Sequence, residues 1–169
     1  MKNNNKIYYE SILKKYINKG ILIDTNLLLL FLIGSFDKKA ISTFKRLENQ
    51  GYDEKDFLIV SNIMRASKKL ITTPNILTEI SNLSFQFKYK IKEKYNSFLL
   101  KTIENFNEIY INSNSIKEKD FSSLGLTDSI ILKLSDDCLI VTDDAKLCSF
   151  IEHKKKDFIN LNHLRMLNL

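Results

Sequence analysis

The stretch "ILIDTNLLLLFLIG", residues 21–34, is the most apolar in the chain, and Asp24-Thr25-Asn26 interrupts it. Burying an unpaired carboxylate is very costly, so an acid in such a place needs a partner or a purpose. It also divides the stretch into two elements of different kinds. "ILI" is short and rich in β-branched residues, the pattern of a strand buried on both faces of a parallel sheet. "NLLLLFLI" suits a short, well-buried helix closed by Gly34. The apolar run 27–33 has only seven residues, whereas a membrane-spanning helix needs about 20.

The alternation continues along the chain. Residues 7–18 carry apolar positions at helical spacing and stop at Gly20. "KKAISTFKRLEN" and "EKDFLIVSNIMRAS" predict two further helices, and "KLITTP" a second strand halted by Pro74. From Asn75 a helical pattern runs in pieces to about Phe106, followed by a third strand over "EIYIN", 108–112. A helix opens near Thr127, a plausible N-cap, and "CLIVT", "DDAKLCSFIEHK" and "DFINL" read as strand, helix and strand. Strands separated by helices imply an α/β fold, a three-layer α/β/α sandwich with a mainly parallel central sheet of about five strands. At 169 residues, without an interrupting linker, the chain is expected to form one domain.

Composition narrows the setting. Cys138 and Cys148 lie in apolar surroundings without ligand spacing, which argues against a disulfide framework and for a reducing, cytoplasmic location. The start does not read as a signal peptide, because the first apolar run follows a lysine-rich, helix-like stretch. A membrane partner is not expected. A net charge of +6 permits a polyanionic partner without requiring one. Lys88, Lys90, Lys92, Lys94 and the run Lys154-Lys155-Lys156 are the candidate phosphate contacts, and each cluster also reads as an ordinary solvated helix face.

In open α/β sheets ligands bind outside the carboxyl ends of the strands. Asp24 follows one apolar strand, and Asp143-Asp144 follow another ending in Thr142. Glu79 and Asp128 each sit early in a helix beside its apolar stripe, where a random surface acid is not expected. Singly, each has a structural explanation as a helix cap or a dipole partner. Together, converging at one sheet edge, they would repel one another, and a divalent cation would relieve the repulsion. Oxygen ligands suit Mg²⁺ or Mn²⁺, whereas zinc would want histidine or cysteine. His153 and His163 both lie near the C-terminus, which sets a zinc site aside.

These residues resemble the motifs of PIN-domain nucleases, the family that includes VapBC-type toxins. The matching segments are "ILIDTNLLL", "TPNILTEISNL", "LTDSIILKLS" and "LIVTDDAKL", in that order, with "FINLNHLR" resembling the closing strand and its continuation. The resemblance implies a PIN-like domain over 1–169, with 1–20 as an N-terminal helical extension and 35–68 as a helical insertion. It implies an Mg²⁺- or Mn²⁺-dependent endoribonuclease with Asp24, Glu79, Asp128 and Asp144 as the catalytic acids. Asp24, Asp128 and Asp144 would hold the metal, with Asp143 a near competitor for the fourth place. Thr25, Asn26 and Thr142 would orient groups or water, and lysines such as Lys88 and Lys90 would hold the RNA backbone. Partners in such families are an RNA substrate, an antitoxin protein and a second copy of the chain.

Two other readings stay in view. Phosphotransfer proteins also place an Asp at a strand end, but the Asp-x-Asp-x-Thr pattern of one such group is not met by Asp24-Thr25-Asn26, and a late Lys-Pro is missing because the only proline is Pro74. A catalytically silent PIN-like module binding RNA or protein is the rival from another class.

Overall fold

The computed structural model describes residues 2–83, 86–87 and 89–167, with the backbone alone for 2–6, 89 and 90. Helix α1 (Lys2–Tyr16) leads to strand β1 (Ile21–Ile23), which passes directly into α2 (Thr25–Phe36). The segment that follows holds a 3-10 turn (Lys38–Ala40), the single-turn helix α3 (Lys45–Asn49) and α4 (Glu54–Arg65). Then come β2 (Leu70–Thr72), α5 (Pro74–Leu83), α6 (Tyr89–Ile103) and β3 (Asn107–Glu108). The chain closes with α7 (Glu118–Leu134), β4 (Leu139–Thr142), α8 (Ala145–His153), β5 (Phe158–Asn160) and α9 (Leu161–Leu167).

All five strands are parallel, in the order β3-β2-β1-β4-β5, and helices flank the sheet in a three-layer α/β/α arrangement. Strands β1 and β4 are buried along their whole length, as their uninterrupted apolar runs require. From β1 the chain moves outward through β2 to β3, then returns to the other side of β1 for β4 and β5. The order therefore reverses between β1 and β4, and a crevice outside their carboxyl ends is the expected place for a ligand. No helix among the described residues is long and apolar enough to cross a membrane.

Several elements differ from their sequence expectation for identifiable reasons. Gly34 does not close α2, which continues to Phe36 and ends at Asp37. Its role is close packing: a Cβ at position 34 would run into the ring of Phe57 in α4 at Cδ2. Phe57 is itself buried and stacked on Phe31 at 6.4 Å between ring centroids, so it has little room to move. Gly34→Ala is therefore expected to destabilise the protein by about 1–3 kcal/mol through overpacking. Urea unfolding would show this as a lower midpoint at unchanged slope, whereas an unchanged midpoint would mean that α2 and α4 can separate freely.

Pro74 does not merely halt β2. It opens α5, where a missing N–H costs nothing, and Thr73 Oγ1 accepts from Ile76 N–H at 3.3 Å. The third strand is shorter and earlier than 108–112. Its ladder covers Asn107–Glu108, with one more bond from Ile109 N–H to the Thr72 carbonyl at 2.9 Å. The alternation in "EIYIN" is still used, because Ile109 and Ile111 pack on the core while Tyr110 is 76% exposed. The helix expected near Thr127 does open there, just after Gly125, whose φ of 77° and extended ψ lie outside the helical region and are open to glycine. A preceding helical stretch from Glu118 runs into this break, and the two together are α7.

Helix α1 is tied to the body of the fold by Ile12 and Tyr16, both buried, and by Lys15 paired with Asp157 at 2.5 Å. Segment 35–68 is anchored in part by α4, which packs on α2 through Phe57 and whose Asp56 bonds Arg165 of α9. Cys138 and Cys148 are free and buried, each thiol pushed up to about 12 chiefly by burial.

Candidate active site

Parallel pairing of Ile23 with Val141 puts the residues that follow them, Asp24 and Thr142, side by side. The Asp24 N–H extends the ladder by donating to the Val141 carbonyl at 3.0 Å. The Asp24 carboxyl is only 4% exposed and is held from two sides. The Leu27 N–H donates to Oδ1 at 2.9 Å, making Asp24 the N-cap of α2, and the Thr142 hydroxyl donates to Oδ2. The Thr142 oxygen in turn accepts from Asp144 N–H at 3.0 Å. Asp144 caps α8 by accepting from Leu147 N–H at 2.8 Å. One threonine thus couples the acids that end β1 and β4.

Glu79 of α5 is held by hydroxyls from two other helices. Thr25 donates to Oε2 at 2.8 Å and Thr127 to Oε1 at 2.5 Å. Thr127 is therefore a Glu79 donor in the first turn after the Gly125 break, and the non-helical residue that precedes this turn is Gly125 rather than Thr127, the expected N-cap. Its neighbour Asp128 is half-buried. Asp24, Glu79, Asp128 and Asp144 all line one crevice of about 380 Å³, together with Thr25, Asn26, Arg46, Thr127 and the α7 kink at Leu124–Leu126.

The competing acid Asp143 does not line this crevice. Its Oδ2 accepts from the Tyr52 hydroxyl at 2.6 Å, and its carbonyl accepts from Asn162 Nδ2 at 3.2 Å. Burial and the Asp143 charge hold the Tyr52 phenol well above its ordinary value, so it serves as a donor. Asp143 still acts electrostatically, raising the Asp24 pKa more than Asp128 does.

The electrostatics are those of crowded acids. Burial, then Asp143, pushes Asp24 up to about 7, against the lowering effect of its Thr142 and Leu27 hydrogen bonds. Burial, then Asp144 and Glu79, pushes Asp128 up to about 6. Among the described residues no three His, Cys, Asp or Glu side chains are gathered so as to hold an ion by themselves. Mg²⁺ does not require such a cage, since it commonly keeps several waters and uses one or two carboxylates plus substrate phosphates. The acids of the crevice are all carboxylates, with threonine hydroxyls beside them, a donor chemistry that fits Mg²⁺ or Mn²⁺.

The remaining expected contacts divide. Among the described residues Asn26 binds no acid; its Oδ1 accepts from Arg46 Nε and Nη2 at 3.1 and 3.0 Å. Lys88 lies outside the described residues, and of Lys90 only the backbone, within α6, is described. Lys154 and Lys156 both pair with Asp136, at 2.9 and 3.0 Å. Arg46, Thr127 and Tyr52 are the site residues that sequence reasoning did not single out for these roles. Thr127 adjoins Asp128, but Arg46 and Tyr52 carry no local signal. No protein-family model, curated protein or solved structure matches the chain, so the chemistry of the crevice has to be read from its own residues.

Proposed function

We propose that the protein is a metal-dependent endoribonuclease of the kind its motifs resemble, hydrolysing RNA phosphodiester bonds with Mg²⁺ or Mn²⁺. One observation carries the reading: acids from four separate places in the chain, Asp24, Glu79, Asp128 and Asp144, line a single crevice at the reversal point of the sheet. Helix caps alone explain Asp24 and Asp144, but not why Glu79 and Asp128 face them.

Asp24, Asp128 and Asp144 would hold the ion, directly or through water. When bound, it supplies positive charge to the phosphoryl oxygens and makes nearby water more acidic. The chain's own residues do the rest. Thr142 fixes the Asp24 carboxyl, and Thr25 and Thr127 fix both oxygens of Glu79, so neither acid loses geometry when substrate arrives. Glu79 orients the attacking water and draws off its proton. Asp128, raised in the metal-free crevice by burial and by the Asp144 and Glu79 charges, would be held as a carboxylate by the bound cation and serve as its ligand. The water oxygen bonds to phosphorus and the P–O3′ bond breaks. The 3′-oxygen takes up a proton, leaving a 5′-phosphate and a 3′-hydroxyl.

The test is cleavage of single-stranded RNA by the purified protein. Cleavage should require Mg²⁺ or Mn²⁺, stop in excess EDTA and leave 5′-phosphate ends. Glu79→Gln should lower the rate by roughly 10²–10⁴-fold, the usual range for loss of a general base. Cleavage that persists in EDTA overturns the reading. A parent protein that binds RNA without cutting it indicates the silent module instead.

A further inference from the structure

Among the described residues, the crevice has acids on most sides and one basic side chain, Arg46. Its backbone is set by burial, because the residues on either side within and before α3, Leu47 and Phe44, are both in the core. Phe44 packs on Phe87 at 5.1 Å between ring centroids. Arg46 itself is exposed and reaches toward α2. There its Nε and Nη2 converge on the single Oδ1 of Asn26, two residues beyond Asp24.

The choice of anchor is informative. A guanidinium whose task was to neutralise the crowded acids would sit on a carboxylate. Arg46 makes no ion pair among the described residues. The neutral Asn26 amide fixes the direction of the guanidinium while leaving its charge uncancelled. Among the described residues nothing takes Nη1 or the second Nη2 hydrogen, and the planar fork matches two oxygens of a phosphate. A positioned cation on the rim of a crevice lined by Asp24, Glu79, Asp128 and Asp144 suits a polyanion that must approach those acids.

We propose that Arg46, steered by Asn26, grips a backbone phosphate of the RNA strand beside the scissile bond. The inference rests on the nuclease reading and gives its substrate a fixed point of contact. Asn26 is then a positioning residue: the third residue of the Asp-Thr-Asn motif orients an arginine rather than a water. Arg46 comes from the segment between α2 and α4, so that segment contributes to substrate binding.

The experiment measures binding of a mixed-sequence single-stranded RNA oligonucleotide, with Mg²⁺ present, in an Asp128→Asn background that suppresses turnover. Arg46→Met should weaken binding about ten-fold or more, the value of a charge-assisted hydrogen-bonded contact. It should also flatten the dependence of log K on log salt by about 0.7, as expected for one lost phosphate contact on a single strand. Arg46→Lys should restore the salt slope but not the full affinity. Asn26→Ala should weaken binding when Arg46 is present and have no further effect once Arg46 is methionine. In the active protein, Arg46→Met should raise KM more than it lowers kcat.

If the parent binds and cuts RNA while Arg46→Met changes neither affinity nor salt slope, the Arg46 inference fails and the nuclease reading stands. Unchanged RNA affinity with a lower Mg²⁺ requirement would make Arg46 an internal counter-charge, which also overturns the inference. A parent that neither binds nor cuts RNA removes both.

Discussion

Asp24→Asn is expected to yield a protein that is more stable than its parent above pH 7 and, on the proposed nuclease reading, without cleavage activity. Folding buries the Asp24 carboxyl and lifts it from 3.8 to about 7. Between those values the folded chain holds a proton that the unfolded chain releases, so parent stability falls as pH rises through this window. The penalty is complete above about 7 and absent below about 4. Asparagine carries no charge to bury and is as good an N-cap as aspartate, so the Leu27 N–H keeps its acceptor. In metal-free buffer the variant should gain on the order of 2 kcal/mol at pH 8 and nothing at pH 4. Thermal unfolding at the two pH values reads the difference directly. Equal stability of variant and parent at pH 8 would mean that the carboxylate is better compensated than its burial indicates. A stabilising substitution that removes activity is what a strained functional site produces.

Removing Arg165 should have the opposite effect on stability. Its Nε and Nη2 each donate to the Asp56 carboxylate at 2.7 Å, and Asp56 is only 4% exposed. Asp56 also closes the capping box of α4 by accepting from Asp53 N–H at 3.0 Å. In Arg165→Met the buried carboxylate would keep that one neutral donor and lose its counter-ion. Breaking one side of such a pair costs about 3–5 kcal/mol, and the partial exposure of Arg165 favours the lower end. Replacing Asp56 by Asn in the same protein should recover most of the loss, since the unpaired charge is then gone. Urea unfolding of the single and double variants separates the two effects. A single variant within about 1 kcal/mol of the parent would show that the pair is solvated rather than buried. The damage should reach the site as well. Arg165 also donates to Asn162 Oδ1 at 2.8 Å, its guanidinium lies 5.5 Å from the Tyr52 ring centroid, and both of those residues bond Asp143.

What could be read from the chain beforehand, and what could not, follows from the range of each signal. The acids that end β1 and β4 are legible because an uninterrupted apolar run marks each strand and the polar residue after it must emerge at the sheet edge. Strand order is not local: nothing in "KLITTP" says on which side of β1 it will lie. Gly34 looked like a helix stop because the reason for its lack of a side chain, the ring of Phe57, lies in another helix. Thr127 looked like an N-cap because its real partner, Glu79, is 48 residues away. The adjacent acids Asp143 and Asp144 are indistinguishable by composition. Asp144 stands three residues before Leu147 and so takes the α8 cap, while Asp143 is claimed by Tyr52, 91 residues away in sequence. Arg46 and Asn26 are 20 residues apart in sequence on different helices, beyond any periodicity that links side chains within one element.

The claim on which the functional reading depends is that Asp24, Asp128 and Asp144, with Glu79 beside them, serve one divalent ion. Anomalous diffraction from crystals of the full chain soaked in Mn²⁺ tests it most directly. The account predicts a single strong peak in the crevice between the ends of β1 and β4, within coordinating distance of at least one of these carboxylates and bridged to the others by water, and its loss in Asp128→Asn. Mn²⁺ bound elsewhere on the chain, with the crevice empty in crystals whose solvent channels reach it, would contradict the account.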